Sequence, residues 1–268
     1  MIEGKAATPI ALVAVVLGLA HCSRDQTHDP VQWRVAVPGF EVAKITTLTP
    51  LDDQPIAVHL LRVDLKQHRL RVVDAAQGGK KLADAAEFMQ LSAGLAAING
   101  GYFDPEYKPL GLLISDGKEL SKLRKVDHGV FYVAAGKPGL QHARQWQPPQ
   151  ALEFAVECGP RLVVQGQPLH FKPGRARRVA IGNDPQNRVI LAVSAGALTL
   201  EEWAALLGRS ESTGGAGLSD ALNLDGGSST MLEVHAGASA ISLRTAVQVP
   251  IGIAVVARPR KISAPAAD

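Results

Sequence analysis

The chain of 268 residues has few aromatic residues, only two cysteines and no marked excess of charge of one sign. Because aromatic residues are scarce, a core must be built mainly from aliphatic side chains. The formal net charge of +3 is spread along the chain, without the basic stripe that nucleic-acid binding requires. Cys22 and Cys158 cannot supply a disulfide framework. We therefore predict a globular protein with no nucleic-acid partner.

Motifs that carry common cofactor chemistry are also missing. There is no H-E-x-x-H pair, no Cys/His zinc spacing and no EF-hand loop. Residues 111–119 do not match the phosphate-binding P-loop motif, because five residues separate Gly111 from Gly117 and Glu119 stands where Ser or Thr is needed. No metal site and no cofactor are predicted, and assistance by a divalent cation stays open.

The N-terminus has the pattern of an export signal. Lys5 precedes an apolar run over residues 9–20, which is too short for a permanent membrane anchor. We therefore predict a signal peptide over residues 1–22 and a periplasmic or envelope-associated protein. Cys22 stands where a bacterial lipoprotein is lipidated, but His21 before it departs from the usual motif. A membrane tether through Cys22, simple cleavage near Ala20 and no processing at all remain open.

Hydrophobic periodicity divides the rest of the chain. Residues 23–50 read as a tether with a strand that leads into the fold, residues 51–258 as a single domain, and residues 259–268 as a disordered tail. Strands outnumber helices, and most connections are short. This pattern predicts an α+β fold with a mixed β-sheet core and a few flanking helices.

Several local expectations follow from the same pattern. Strands at 56–64 and 68–75 are separated by a short polar turn and should form a hairpin. Asp116-Gly117 should close another hairpin. Helices are expected at 81–94 and 199–208, the second with a capping box formed by Thr199 and Glu202. Residues 136–150 read as a linker or as an excursion from the domain.

Two apolar strands end in a polar side chain followed by Gly-Gly: Asn99-Gly100-Gly101 and Asp225-Gly226-Gly227. Glycine pairs let backbone N–H groups point at an anion, and sheet pairing would place both junctions around one pocket. Arg178 could supply a full positive charge to that pocket. Such a pocket suits a phosphate beside a cleavable bond, and Tyr102 and Phe103 add flat apolar surface for a sugar ring.

Each of these features also has a purely structural interpretation. Glycine pairs commonly form turns, and Asp225 could cap an Asx-turn. Ser228, Ser229 and Thr230 could cap the following element, Arg178 could form a surface ion pair, and His128 could be a hydrogen-bonded structural histidine. Cys158 reads as a buried structural cysteine, because no base lies beside it in the sequence.

The chain resembles the phosphodiester glycosidase family, which includes the enzyme that uncovers mannose 6-phosphate on lysosomal proteins. The resemblance covers about residues 55–257, and the matching segments run in the same order. They are AAINGGYFDPEYKPLGLLISDGKEL (96–120), HGVF (128–131), CGPRLVVQGQP (158–168), RRVAIGND (177–184), TLEEWAALL (199–207) and DALNLDGGSSTML (220–232).

This resemblance implies hydrolysis of a sugar-1-phosphodiester at its glycosidic carbon, with a phosphorylated sugar or glycan as substrate. It implies catalytic roles for Asp225, Asn99 and Arg178. The implied substrate-binding residues are Gly100, Gly101, Tyr102, Phe103, Asp104, His128, Gly226, Gly227, Ser228, Ser229 and Thr230.

The chain departs from the family pattern at two points. Val179 replaces a threonine, and Val193-Ser-Ala-Gly196 stands where Asp-Gly-Arg is common. Two alternatives to the glycosidase therefore stay open: an envelope module that binds phosphorylated glycans without cleaving them, and an esterase that uses Ser228 or Ser229.

Overall fold

The computed structural model describes Met1, residues 29–48 and residues 54–259. The rest of the predicted signal peptide with Cys22, and residues 260–268 of the predicted tail, lie outside the described residues. In chain order the helices and strands are β1 (Arg34–Val37), β2 (Phe40–Leu48), β3 (Pro55–Val63), β4 (His68–Asp74), α1 (Ala85–Ser92), β5 (Ala96–Asn99), β6 (Leu113–Ser115), β7 (Lys118–Ser121), β8 (Gly129–Ala134), β9 (Lys137–His142), β10 (Leu152–Cys158), β11 (Arg161–Val164), β12 (Gln167–Pro168), β13 (Val179–Asn183), β14 (Val189–Ser194), α2 (Leu200–Gly208), β15 (Asp220–Asn223), β16 (Leu232–Ala236), β17 (Ser239–Leu243) and β18 (Ile251–Ala257).

These strands form three sheets. An eight-stranded sheet has the order β1-β2-β3-β14-β13-β15-β11-β12, and two five-stranded sheets have the orders β7-β6-β10-β8-β9 and β17-β16-β5-β18-β4. All pairings between strands in residues 29–48 and 54–259 are antiparallel. The predicted mixed sheet is therefore wrong, whereas a β-rich fold with few helices is confirmed.

The three sheets pack their inner faces around one shared aliphatic core. Leu61 of the eight-stranded sheet, Val156 of the second sheet and Ile253 of the third all belong to it and are fully buried. Burial of one such side chain contributes about 1.5–3 kcal/mol to folding. Side chains from all three sheets therefore meet in this core.

Two helices cover outer faces of these sheets. Trp203 of α2 packs on the eight-stranded sheet, and Phe88 of α1 packs on the third sheet. The capping box predicted for α2 is confirmed: Thr199 Oγ1 accepts from Glu202 N at 3.1 Å, and Glu202 Oε2 accepts from Thr199 N at 2.8 Å. These bonds satisfy amide groups that the first turn of a helix leaves free.

Turn residues in the sequence correctly predicted one hairpin, in which two strands that are consecutive in the chain also pair with each other. Asp116-Gly117 joins β6 and β7 in a hairpin, as predicted. The predicted hairpin of β3 and β4 is wrong, because β3 pairs with β2 and β14 whereas β4 pairs with β18 in another sheet. The predicted linker at 136–150 is also wrong, since β9 pairs with β8 over six positions.

Within the described residues, no helix combines the length and the apolar character needed to cross a membrane.

Gly182 offers a test of how tightly the eight-stranded sheet is packed. A Cβ atom at this position would lie 2.3 Å from Asp220 O and 2.9 Å from Leu218 Cδ1. Gly182→Ala must push β13 and β15 apart, and we expect it to lower the free energy of unfolding by about 1–3 kcal/mol.

Urea denaturation followed by circular dichroism would measure this loss. Gly174→Ala is the matched control, because a Cβ atom there meets nothing within 4 Å. Equal stability of the two variants would show that β13 and β15 are packed more loosely than described.

Candidate active site

The two Gly-Gly junctions meet, although they belong to different sheets. β5 ends at Asn99 in a five-stranded sheet, whereas β15 ends at Asn223 in the eight-stranded sheet. The predicted pairing of the two strands is therefore wrong, but the predicted proximity is correct. Asp225 N donates to Gly100 O at 3.3 Å, and Asn99 Nδ2 donates to Asp225 O at 2.7 Å.

Asn99 connects the two ends of the segment that passes from β15 to β16. Its Nδ2 group bonds to the carbonyl of Asp225, and its Oδ1 atom accepts from Met231 N at 3.2 Å. Only 1% of the residue is exposed. This geometry gives Asn99 a positioning role, and its predicted contact with substrate stays a prediction.

Asp225 is the carboxylate of this junction, and it is only partly exposed. Burial raises its pKa above the ordinary value, while hydrogen bonds from the Ser229 side chain and from Gly226 N act in the opposite direction. The Gly226 N bond to Oδ1 is 3.0 Å long. Burial is the largest of these effects, so the ionised carboxylate is held in an unfavourable environment that a cationic group or transition state would relieve.

The expected nest of free amides does not form at three of the glycines. Gly100 N donates to Ile251 O at 2.8 Å, and Gly227 N donates to Arg177 O at 2.8 Å. Gly226 N is bonded to Asp225. The glycines have other roles. A Cβ atom at Gly226 would lie 2.6 Å from Arg177 O, so close packing requires glycine there, and Gly227 has a φ of +62°, a conformation that glycine adopts without strain.

Tyr102 lies beside Asp225 and has a fixed hydroxyl group. The hydroxyl donates to Gly159 O at 2.6 Å, and Asn223 Nδ2 donates to the same carbonyl at 3.0 Å. Burial raises the pKa of Tyr102 well above its usual value, and the nearby Cys158 and Asp225 raise it further. Tyr102 therefore stays protonated, and its ring presents a fixed surface at the site.

His128 stands on the other side of Tyr102, with ring centroids 5.8 Å apart. Its Nδ1 atom lies 3.7 Å from Oε1 of Glu157, a fully buried carboxylate on β10. Burial lowers the pKa of His128, although Glu157 acts in the opposite direction. Sequence reasoning missed Glu157. The available signal was a carboxylate between Val156 and Cys158, at the end of the otherwise apolar stretch 154–158 of β10.

Two arginines, Arg177 and Arg178, lie next to the second junction along the backbone, because Gly227 N donates to Arg177 O. Arg178 donates from Nε to Leu198 O at 2.8 Å and from Nη2 to Gly174 O at 2.6 Å, and burial lowers its pKa. Arg177 donates from Nε to Gly227 O at 3.2 Å. The guanidinium groups of Arg177 and Arg178 donate to carbonyl and hydroxyl oxygens. In the part of the chain that the structure describes, no carboxylate forms an ion pair with either guanidinium. Arg177 was not assigned to the site from the sequence.

Segment 193–196, where the family's Asp-Gly-Arg is absent, supports Arg178. Ser194 Oγ accepts from Arg178 N at 2.6 Å and donates to Gly196 O at 2.9 Å. The segment therefore fixes the backbone of Arg178 through a hydroxyl group.

The remaining predicted binding residues lie around these groups. Phe103 packs against Tyr107 with ring centroids 6.1 Å apart. Asp104 Oδ1 accepts from Lys108 N at 2.8 Å, which closes a turn. Ser229 and Thr230 are buried, whereas Ser228 is exposed. Leu110 N donates to Tyr102 O at 2.8 Å and so closes the loop that carries Phe103 and Asp104.

Cys158 is buried, as predicted, and burial raises the pKa of its thiol to about 12. It is thus held as an unreactive thiol beside the site. Among the described residues, no group of three or more His, Cys, Asp or Glu side chains could hold a metal ion.

Solved structures share this fold. The catalytic domain of zebrafish N-acetylglucosamine-1-phosphodiester alpha-N-acetylglucosaminidase, auto-inhibited by its pro-peptide, has a TM-score of 0.67 and 18% identity, with 85% of this chain and 89% of that chain covered. A hypothetical Synechocystis protein has a TM-score of 0.59 and 17% identity, with 85% and 64% covered. A putative exported protein of Burkholderia pseudomallei K96243 has a TM-score of 0.52 and 13% identity, with 76% and 74% covered.

These similarities, at 13–18% identity, show the fold of the chain. The family follows from the sequence itself: the phosphodiester glycosidase model matches residues 92–259, and the chain belongs to that family. An uncharacterized Escherichia coli K12 protein, YigE, is 35% identical over 79 residues, which are 26% of this chain. The chain spans 31% of the length of that relative.

The positioning role of Asn99 can be tested by stability. Asn99→Ala leaves Asp225 O and Met231 N without their side-chain partner inside the protein. We expect the free energy of unfolding to fall by about 1–3 kcal/mol, the cost of leaving buried polar groups unpaired.

Urea denaturation of Asn99→Ala beside Gln77→Ala would measure this loss, because Gln77 also carries an amide but is exposed. A loss in Asn99→Ala no larger than in the control would contradict the proposed connection.

Proposed function

We propose that this protein hydrolyses the glycosidic bond of sugar-1-phosphodiesters in envelope or exopolysaccharide glycans, releasing sugar and a phosphomonoester. The observation that supports this most is the half-buried carboxylate of Asp225, which follows β15, the strand that pairs with β13. Arg177 and Arg178 immediately precede β13, and neither guanidinium pairs with a carboxylate within the described residues. The substrate's phosphate would supply the missing negative charge. The export signal predicted for residues 1–22 would deliver the enzyme to such glycans.

Arg178 and Arg177 would bind the phosphate and stabilise it as it leaves. Arginine pairs with phosphate through two parallel N–H bonds, and a phosphate ester departs readily once its charge is balanced. The carbonyl contacts of Arg178 hold its guanidinium in place, so little ordering is needed when substrate binds.

Asp225 would act at the anomeric carbon. Glycoside hydrolysis passes through an oxocarbenium-like transition state, which a nearby carboxylate stabilises or attacks. Because burial raises the free energy of the ionised form, a developing positive charge at that carbon gains more from Asp225 than it would gain from a solvated carboxylate. The rings of Tyr102 and His128 would form the adjoining wall against the sugar.

Asp225→Asn should abolish most turnover. We expect kcat to fall by about 10²–10³-fold, the typical loss when one charged contact to a transition state is removed. The assay follows reducing sugar released by the purified full-length chain from UDP-N-acetylglucosamine and related diesters, with and without EDTA. Asp220→Asn is the matched control, because Asp220 lies on β15, the strand that leads to Asp225, and its carboxylate accepts from Gln165 N.

Binding and stability of Asp225→Asn separate the possible outcomes. Since burial raises the carboxyl pKa, the ionised group destabilises the fold above that pKa, so the variant should be at least as stable as the wild type at neutral pH. Lost activity with retained ligand binding would support the glycosidase. Ligand binding without turnover by the wild type would favour a glycan-binding module, and labelling of Ser228 or Ser229 by a fluorophosphonate would favour an esterase.

The pH profile gives a further expected outcome. Catalysis requires ionised Asp225, so activity should fall as the pH drops through its raised pKa. The pH midpoint of the acid limb of kcat/KM should therefore lie above the pKa of about 3.9 that is usual for aspartate. A profile that is flat down to pH 4 would contradict this role for Asp225.

A further inference from the structure

Glu157 is a buried carboxylate whose two oxygens differ in their partners. Oε2 accepts from Leu112 N at 2.8 Å and from Arg124 N at 2.9 Å. Oε1 is also buried, but it has no hydrogen-bond partner among the described residues. The side chain is 0% exposed. Burying a carboxylate with one free oxygen is costly, so a nearby donor is expected.

The group that faces Oε1 is His128. Its Nδ1 atom is 3.7 Å away, is buried, and likewise has no hydrogen-bond partner within the described residues. Hydrogen bonds in unliganded active sites are often long and shorten when substrate binds. A proton on Nδ1 would satisfy both buried atoms at once, whereas a proton on Nε2 would set a lone pair of Nδ1 against the carboxylate.

The orientation of the imidazole is restricted on two further sides. A Cβ atom at Gly159 would lie 2.7 Å from His128 Cδ2, so the ring rests directly on that glycine. Tyr102 packs against the ring with centroids 5.8 Å apart. The side chain is still 27% exposed, which leaves part of the imidazole open to ligand.

We propose that Glu157 is a positioning residue that holds His128 with its proton on Nδ1, so that Nε2 accepts a proton from the attacking water. This inference rests on the proposed function. The water oxygen bonds to the anomeric carbon, and the bond from that carbon to the phosphate oxygen breaks, with its electron pair leaving on the phosphomonoester. The water proton passes to Nε2 and then to solvent.

The surrounding charges suit this role. Glu157 on β10 and Asp127 beside the histidine favour the imidazolium, whereas burial and Arg124 disfavour it. Tyr102, on the opposing loop, is protonated and adds no charge. Because burial is the largest effect, the pKa of His128 is lowered, and the imidazole is neutral and able to accept a proton at neutral pH.

Nitrogen NMR of the purified full-length protein would test this assignment directly. Long-range ¹⁵N–¹H spectra distinguish the two neutral tautomers of histidine, and His128→Gln identifies the His128 signals by their loss. We expect Nδ1–H in the wild type. In Glu157→Gln, the amide oxygen can still accept from Leu112 and Arg124, but the NH₂ group replaces the acceptor that faces His128. The tautomer should shift to Nε2–H.

The same variant should lose activity through kcat. Loss of a positioned base typically costs about 10²–10⁴-fold, and we expect Glu157→Gln to fall in that range with KM little changed. Glu233→Gln is the matched control, because Glu233 is also buried and its Oε1 lies 2.8 Å from Nε2 of a histidine, His235, on β16. Its activity should equal that of the wild type.

The outcomes distinguish a positioning role of Glu157 from a purely structural role of that residue. An Nε2–H tautomer in the wild type, or a tautomer that Glu157→Gln leaves unchanged, would overturn the proposal. If Glu157→Gln does not fold, the wild-type spectrum alone still decides the tautomer. A wild type that shows Nδ1–H but releases no sugar from any diester would count against the proposed function, while the positioning by Glu157 would stand.

Discussion

The site depends on the side-chain amide of Asn99, which holds together two strands from different sheets. Asn99 ends β5, and it bonds to the backbone at both Asp225 and Met231, the two ends of the crossing from β15 to β16. Without a donor and an acceptor in one buried side chain, that crossing would leave polar backbone groups unpaired. The position of Asp225 relative to Tyr102 is therefore set by a contact that belongs to the fold.

Sequence reasoning succeeded where a feature is encoded within a few residues. The capping box of Thr199 and Glu202 and the turn at Asp116-Gly117 follow from local hydrogen-bonding rules, and both Gly-Gly junctions were found in this way. It failed where the partner is distant in sequence. β3 and β4 are adjacent in the chain but are buried in different sheets, and Glu157 acquires its environment from Leu112, Arg124 and His128, which no short pattern brings together.

Several ionisable groups of the site lack partners in the protein that would fully stabilise their charged forms. Asp225 is held with a raised pKa, and Arg178 has carbonyl oxygens rather than a carboxylate as partners. His128 is kept from charging by burial. Each of these arrangements costs stability in the absence of ligand, and the cost is offset by the shared aliphatic core of the three sheets.

The loop from Tyr102 to Leu110 is closed by its own backbone bond at the base, and Asp104 holds its tip through a turn with Lys108. Its shape is thus determined within the loop, while Tyr102 is fixed separately by Gly159. Insertions, deletions or substitutions at the tip of this loop would therefore leave the position of Tyr102 unchanged. Family members that keep Tyr102 and the carbonyl of Gly159 can therefore differ in length and in side chains at residues 103–109.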